Sequence, residues 1–122
     1  MTIQIDRTIF LPQIKRFAQN KRQMFYDNKI ELAEVALDIS QQWLEEKPWK
    51  DRPIEYYDTQ RECRIELKRY ILDKLDMENN SYSWDEPSYI WKWMAKIMIT
   101  YIAKLIIEHY WAELILEIGI VI

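Results

Sequence analysis

The sequence predicts an all-α domain resembling a four-helix bundle, with a long and mostly apolar last helix. Three observations carry this. One glycine, Gly119, and four prolines leave the 122 residues almost no positions for tight hairpins that need positive φ. Apolar residues recur at three- and four-residue spacing through most of the chain. With 49% apolar and 30% charged residues, the composition is that of a folded globular protein. The length suits one domain with a continuous core, residues 1–122.

The elements follow in order. Thr2-Ile3-Gln4-Ile5 alternates polar and apolar residues, and Ile118 to Ile122 is β-branched around Gly119, so the two chain ends carry short-strand patterns that could pair. A helix from Thr8 to about Tyr26 takes Pro12 in its first turn and turns Ile14, Phe17, Ala18, Met24 and Phe25 inward. Asn28 and Glu31 have capping-box spacing and predict the start of a second helix. It carries Ile30, Ala33, Leu37, Trp43 and Leu44 and stops at Pro48. Asp51 and Pro53 predict a third, with Tyr57, Cys63, Leu67, Tyr70, Ile71 and Leu75 inside. After a turn over 79–83, Ser83, Glu86 and Pro87 announce a fourth helix, from about Ser88 to Ile118.

That last stretch is apolar except for Lys92, Lys96, Thr100, Lys104, Glu108, His109, Glu113 and Glu117, which recur about every four residues as a narrow stripe. A helix so apolar must be covered on several sides. Lipid does not span it, because its longest charge-free run, Ile97 to Ala103, has seven residues, against the roughly 20 a bilayer needs. The lysines occupy the first half of the stripe and the glutamates the second, opposite to what the helix dipole favours, at up to ~1 kcal/mol each when exposed. An antiparallel copy offsets this: in the register where paired positions add to 209, Lys92 meets Glu117, Lys96 meets Glu113 and Thr100 meets His109. That is a self-complementary two-fold contact. The expectation is therefore a homo-oligomer, an antiparallel dimer through 88–118, with Trp84, Trp91, Trp93 and Trp111 as aromatic anchors.

Chemistry is weakly written. One cysteine, Cys63, excludes an internal disulfide and a thiolate zinc site; one glycine excludes a glycine-rich phosphate loop. Glu31 and Glu34, followed by Glu55 and Asp58, place two pairs of carboxylates at i, i+3 on successive helices, a set able to bind Mg²⁺ or Mn²⁺ through oxygen. In this the chain resembles the MazG-like all-α nucleoside-triphosphate pyrophosphatases. The resemblance covers about thirty residues and implies that those four carboxylates hold the metal that polarises a phosphoanhydride. His109, Glu113 and Glu117 share a face and could supply half of a metal site, yet no Glu-x-x-His motif completes it.

Arg61, Arg64 and Lys68 make a basic face that could touch nucleic-acid phosphates. Lys15, Arg16, Lys21 and Arg22 form a second. Against them stand Glu31, Glu34, Asp38 and Glu45 and a net charge of −3, so neutralisation within the fold is the simpler account. No secretory leader pattern opens the sequence, which points to the cytoplasm. Nineteen isoleucines against two valines suggest an A/T-rich genome, such as that of a phage. The reading favoured by residues alone is a non-enzymatic structural or interaction protein without a cofactor. Pyrophosphatase and nucleic-acid regulator are the alternatives.

Overall fold

A computed structural model describes the backbone of residues 3–20, 26–47, 59–75 and 86–118, with side chains for 3–19, 31–47, 60–75 and 93–116. All regular structure among the described residues is helical: α1 (Arg7–Asn20), α2 (Tyr26–Glu46), α3 (Thr59–Lys74), α4 (Glu86–His109) and α5 (Trp111–Ile118).

Asp6 starts α1. Its carboxylate accepts from the Thr8 backbone N–H at 3.0 Å, and its own carbonyl accepts the first helical bond, from Ile9 at 3.1 Å. The start thus falls one residue before the expected Thr8, and Pro12 sits in the second turn rather than the first. It is tolerated there because Pro12 and Thr8, whose carbonyl loses its i+4 donor, are both on the exposed side, where water can replace the bond. Phe10, Ile14 and Ala18, at four-residue steps, are the buried stripe. Met24 and Phe25 lie outside the described residues, and Tyr26, expected to close the first helix, opens the second.

Because α2 begins at Tyr26, Asn28 lies inside its first turn and does not cap it, so the capping box expected from Asn28 and Glu31 does not set this start. Ala33, Leu37, Trp43 and Leu44 are buried as expected, joined by Leu32, Ala36, Ile39 and Ser40. The Ser40 hydroxyl donates to the Ala36 carbonyl at 2.7 Å, which satisfies the buried polar group within its own helix. The helix ends at Lys47, whose φ of 55° is left-handed, directly before Pro48.

The expected beginning of the third helix, Asp51, Pro53 and Tyr57 included, lies outside the described residues; from Thr59 onward Cys63, Leu67, Ile71 and Leu72 are buried on one side. Glu62 in its first turn and Lys74 in its last agree with the helix dipole. Tyr70 and Leu75 are half-buried against the core.

Helix α4 packs against α1, α2 and α3, and this explains its composition. Ala95, Met98, Ile99, Ile102, Ala103, Ile106 and Ile107 are all buried. These span about half of the helix circumference, at ~100° per residue. Much of the apolar surface that suggested a second subunit is covered by the chain's own helices. Ser83 lies outside the described residues, and Pro87 takes the first turn of α4, where its missing amide costs nothing. The single helix expected from Ser88 to Ile118 is interrupted: Tyr110 is a turn residue between α4 and α5. Helical bonds still run from Tyr110 N–H to the Ile106 carbonyl at 3.0 Å and from Leu114 N–H to the Tyr110 carbonyl at 2.9 Å. The interruption is thus a local irregularity in a nearly continuous rod.

Candidate interaction face

Residues 3–6 run in front of α1 without regular secondary structure, yet both backbone edges of this strap are bonded by side chains. On one edge the Gln41 amide accepts from Ile5 N–H at 2.8 Å and donates to the Ile3 carbonyl at 2.9 Å. On the other, the Tyr110 hydroxyl accepts from Asp6 N–H at 3.1 Å and donates to the Gln4 carbonyl at 3.1 Å. Residues 3–6 form no strand, but the alternation appears in burial: Ile3 and Ile5 pack against the core while Gln4 and Asp6 are exposed. The pairing of the two ends falls on 119–122, outside the described residues.

The strap reaches Tyr110 at the very residue that separates α4 from α5. Phe10 of α1 closes the cluster: His109 stands edge-on to its ring at 5.3 Å between centroids, and Tyr110 lies tilted at 5.7 Å. Hydrogen bonds from Thr8, through its hydroxyl and then its amide, hold the Asp6 carboxyl below the usual carboxylate range, and the charge of His109 adds to this.

The outer line of α4 and α5 is visible in exposure. Among the described side chains of α4 the exposed positions are Trp93, Thr100, Lys104, Glu108 and His109, and the four-residue spacing from Thr100 continues through exposed Ala112 and Leu116 of α5. Glu113 is exposed beside this line, while Trp111 and Ile115 are half-buried. The exposed line thus runs unbroken past Tyr110, which is itself buried. Trp93, 57% exposed, and Leu116, 79% exposed, are the two most solvent-accessible large apolar residues described, and they stand at opposite ends of this line.

The other residues singled out by sequence fall as follows. Lys96 is half-buried beside the line, and its carbonyl accepts from the Thr100 hydroxyl at 2.8 Å. Trp111 packs against the core, on the inner side. Trp84 and the side chains of Trp91, Lys92 and Glu117 lie outside the described residues. Glu31 and Glu34 are exposed on α2, Glu55 and Asp58 lie outside the described residues, and no group of three metal-ligating side chains occurs among those described.

Of the basic face, Arg61 is exposed and Lys68 half-buried, but Arg64 donates to Glu108 of α4 at 2.7 Å and to Gln60 at 2.8 Å. Arg7 of α1 likewise pairs with Asp38 of α2. Both pairs are interhelical, so Arg64 of the expected basic face is neutralised within the fold. No described helix is long and apolar enough to cross a membrane.

Comparison with protein-family models, with curated proteins and with solved structures gave no match. The four-carboxylate pattern therefore stands on its spacing alone. Sequence reasoning missed Asp6, Gln41 and Tyr110. Gln41 carried the faintest signal, a polar residue next to the buried run Ile39-Ser40 and followed by buried Trp43 and Leu44; nothing around Tyr110 marks a break.

Proposed function

We propose that the chain is a non-enzymatic structural or interaction protein that works as a homo-oligomer, its subunits meeting as an antiparallel pair along the outer line of α4 and α5. The observation that carries this is the placement of Trp93 and Leu116. In the register that brings Lys96 to Glu113 and Thr100 to His109, Trp93 of one subunit meets Leu116 of the other. These two side chains were no part of the charge argument that produced the register, and they are the apolar residues left most open on this face.

The exposure along α4 and α5 supports the same reading. Thr100, Lys104, Glu108, Ala112 and Leu116 are exposed at four-residue steps along the two helices, with Trp93 exposed two turns earlier. An apolar contact at each end, with a charged pair between, is the usual division of labour in an interface, where aromatic anchors supply affinity and charges set the partner and its orientation.

Light scattering or sedimentation of the full chain at micromolar concentration tests this. The expected species is a dimer that Lys92→Glu with Lys96→Glu dissociates and that Glu113→Lys with Glu117→Lys, added to those changes, restores. A monomeric wild type, or a dimer indifferent to the reversal, would refute it.

A further inference from the structure

We infer that Gln41 and Tyr110 form the two walls of a slot that reads extended backbone, filled here by the chain's own strap, and that the slot takes in its place an extended segment of a partner protein with apolar residues two positions apart. The pattern of bonds carries this. Gln41 holds the Ile5 N–H and the Ile3 carbonyl, at 2.8 and 2.9 Å; Tyr110 holds the Asp6 N–H and the Gln4 carbonyl, each at 3.1 Å. Each wall thus takes the N–H of one residue and the carbonyl two residues before it, and the two walls are offset by one residue. That is how an extended segment presents its groups to a neighbouring strand on either edge. A carboxamide and a phenol can each donate and accept, as a strand residue does. The recognition is that of an added β-strand, with side chains in the place of a sheet edge.

Both walls are held by the helices and not by what fills the slot. The Tyr110 ring is buried against Phe10 and His109, with centroids at 5.7 and 4.8 Å. Gln41 follows the buried Ser40 on α2, and its amide also donates to Glu45 of the same helix at 3.3 Å. A site whose donors and acceptors are preset loses little entropy on exchanging one occupant for another. These four bonds use only the backbone of residues 3–6. Gln4 and Asp6 are exposed, so Ile3 and Ile5, packed against the core, are what distinguish this segment from any other extended backbone. The occupant is therefore fixed as a class: extended, apolar at two positions two apart, and unrestricted at the position between. The strap competes at the effective concentration of a tethered segment, on the order of millimolar, so a partner displaces it by adding contacts outside the slot. The slot does not use the exposed line of α4 and α5, and the inference is independent of the dimer.

A labelled peptide of residues 2–7, capped at both ends, is titrated into the full chain and followed by fluorescence anisotropy. Ile5→Pro deletes the N–H that Gln41 accepts and so loosens the strap. This chain is expected to bind the peptide about fivefold more tightly than wild type, the effect of one net hydrogen bond. Adding Gln41→Leu should reverse the gain, because the peptide then loses the same bond. Methylating the peptide nitrogen at the Ile5 position should weaken binding by a similar factor, whereas Gln4→Ala in the peptide should leave binding unchanged. If Ile5→Pro fails to fold, Ile3→Ser keeps every backbone group, loosens only the apolar seat, and is expected to shift affinity in the same direction. In wild type, saturating peptide should speed hydrogen exchange at the Ile5 and Asp6 amides and leave the helices unchanged. Affinity indifferent to the loosened strap, to Gln41 and to the methylated nitrogen, or no binding to the loosened chain at millimolar peptide, would overturn the slot.

Discussion

Helices α4 and α5 come from one stretch of like composition, yet the fold uses them differently. α4 lies against three helices and buries Ile99, Ile102 and Ile106 along one side with Met98 and Ile107 flanking them, whereas α5 buries Leu114 and leaves Leu116 79% exposed. Apolar composition says that a helix wants covering; it does not say how much covering the rest of the chain can provide. The packing settles the matter: α4 is covered by α1, α2 and α3, and that cover does not reach Leu116.

The sharpest way to break this contrast is to truncate one aliphatic side chain on each helix. Ile102→Ala, at a fully buried site, is expected to cost about 2–5 kcal/mol in urea unfolding. Leu116→Ala, measured under dilute conditions that keep the chain monomeric, should stay within about 0.5 kcal/mol of wild type. Equal losses would mean that α5 is covered within its own domain, and the exposed line would lose its apolar end.

A smaller effect sharpens the comparison at the helix ends. α2 stops through its backbone, at Lys47 with φ of 55° before Pro48, whereas α4 stops through a buried side chain. Lys47→Gly removes the Cβ penalty of the left-handed conformation and is expected to raise thermal stability, by about 1 kcal/mol at most. Glycine at Tyr110 should do the opposite, because there the ring and the hydroxyl hold the position. A loss at Lys47 as well would show that its side chain, and not its backbone, matters most.

Those two ends also mark what sequence could reveal. Pro48 is a local stop, and the buried stripes Phe10-Ile14-Ala18 and Cys63-Leu67-Ile71 follow helical spacing that any reader of the chain can count. Asp6 is local too, but a threonine two residues on competes for the same role, and the sequence pattern points to Thr8. The interruption at Tyr110 is of another kind. It is tied to Asp6 across 104 positions and to Gln4 across 106, and Gln41 reaches Ile5 across 36, so no window of neighbouring residues contains both partners. The paired charges were legible only as a balance of acids against bases; that Arg64 meets Glu108 depended on how α3 packs on α4.

The smallest expected effects are two pH limbs, one at each end of the bundle's chemistry. Asp6 is held below its ordinary value by Thr8 and, to a lesser degree, by His109. The unfolded chain therefore takes up the proton first, and the Asp6 contribution, complete above the ordinary aspartate range, is lost as pH falls through the lowered value. Tyr70 is the opposite case. Burial first, and then the 2.8 Å bond it donates to Glu46, push its phenol up to about 12 from 10.0. Its contribution is complete below pH 10.0 and declines as pH rises toward about 12, because only the unfolded chain ionises readily in that window. Asp6→Asn keeps an oxygen to accept from Thr8 but cannot titrate, so the acid decline in melting temperature should flatten while the alkaline one persists. Tyr70→Phe should do the reverse. Because Asp6 sits where strap, α1 and His109 converge, an acid limb that Asp6→Asn leaves unchanged would detach this carboxylate from the stability of the strap. Tyr70, on the α2–α3 side, serves as the internal control.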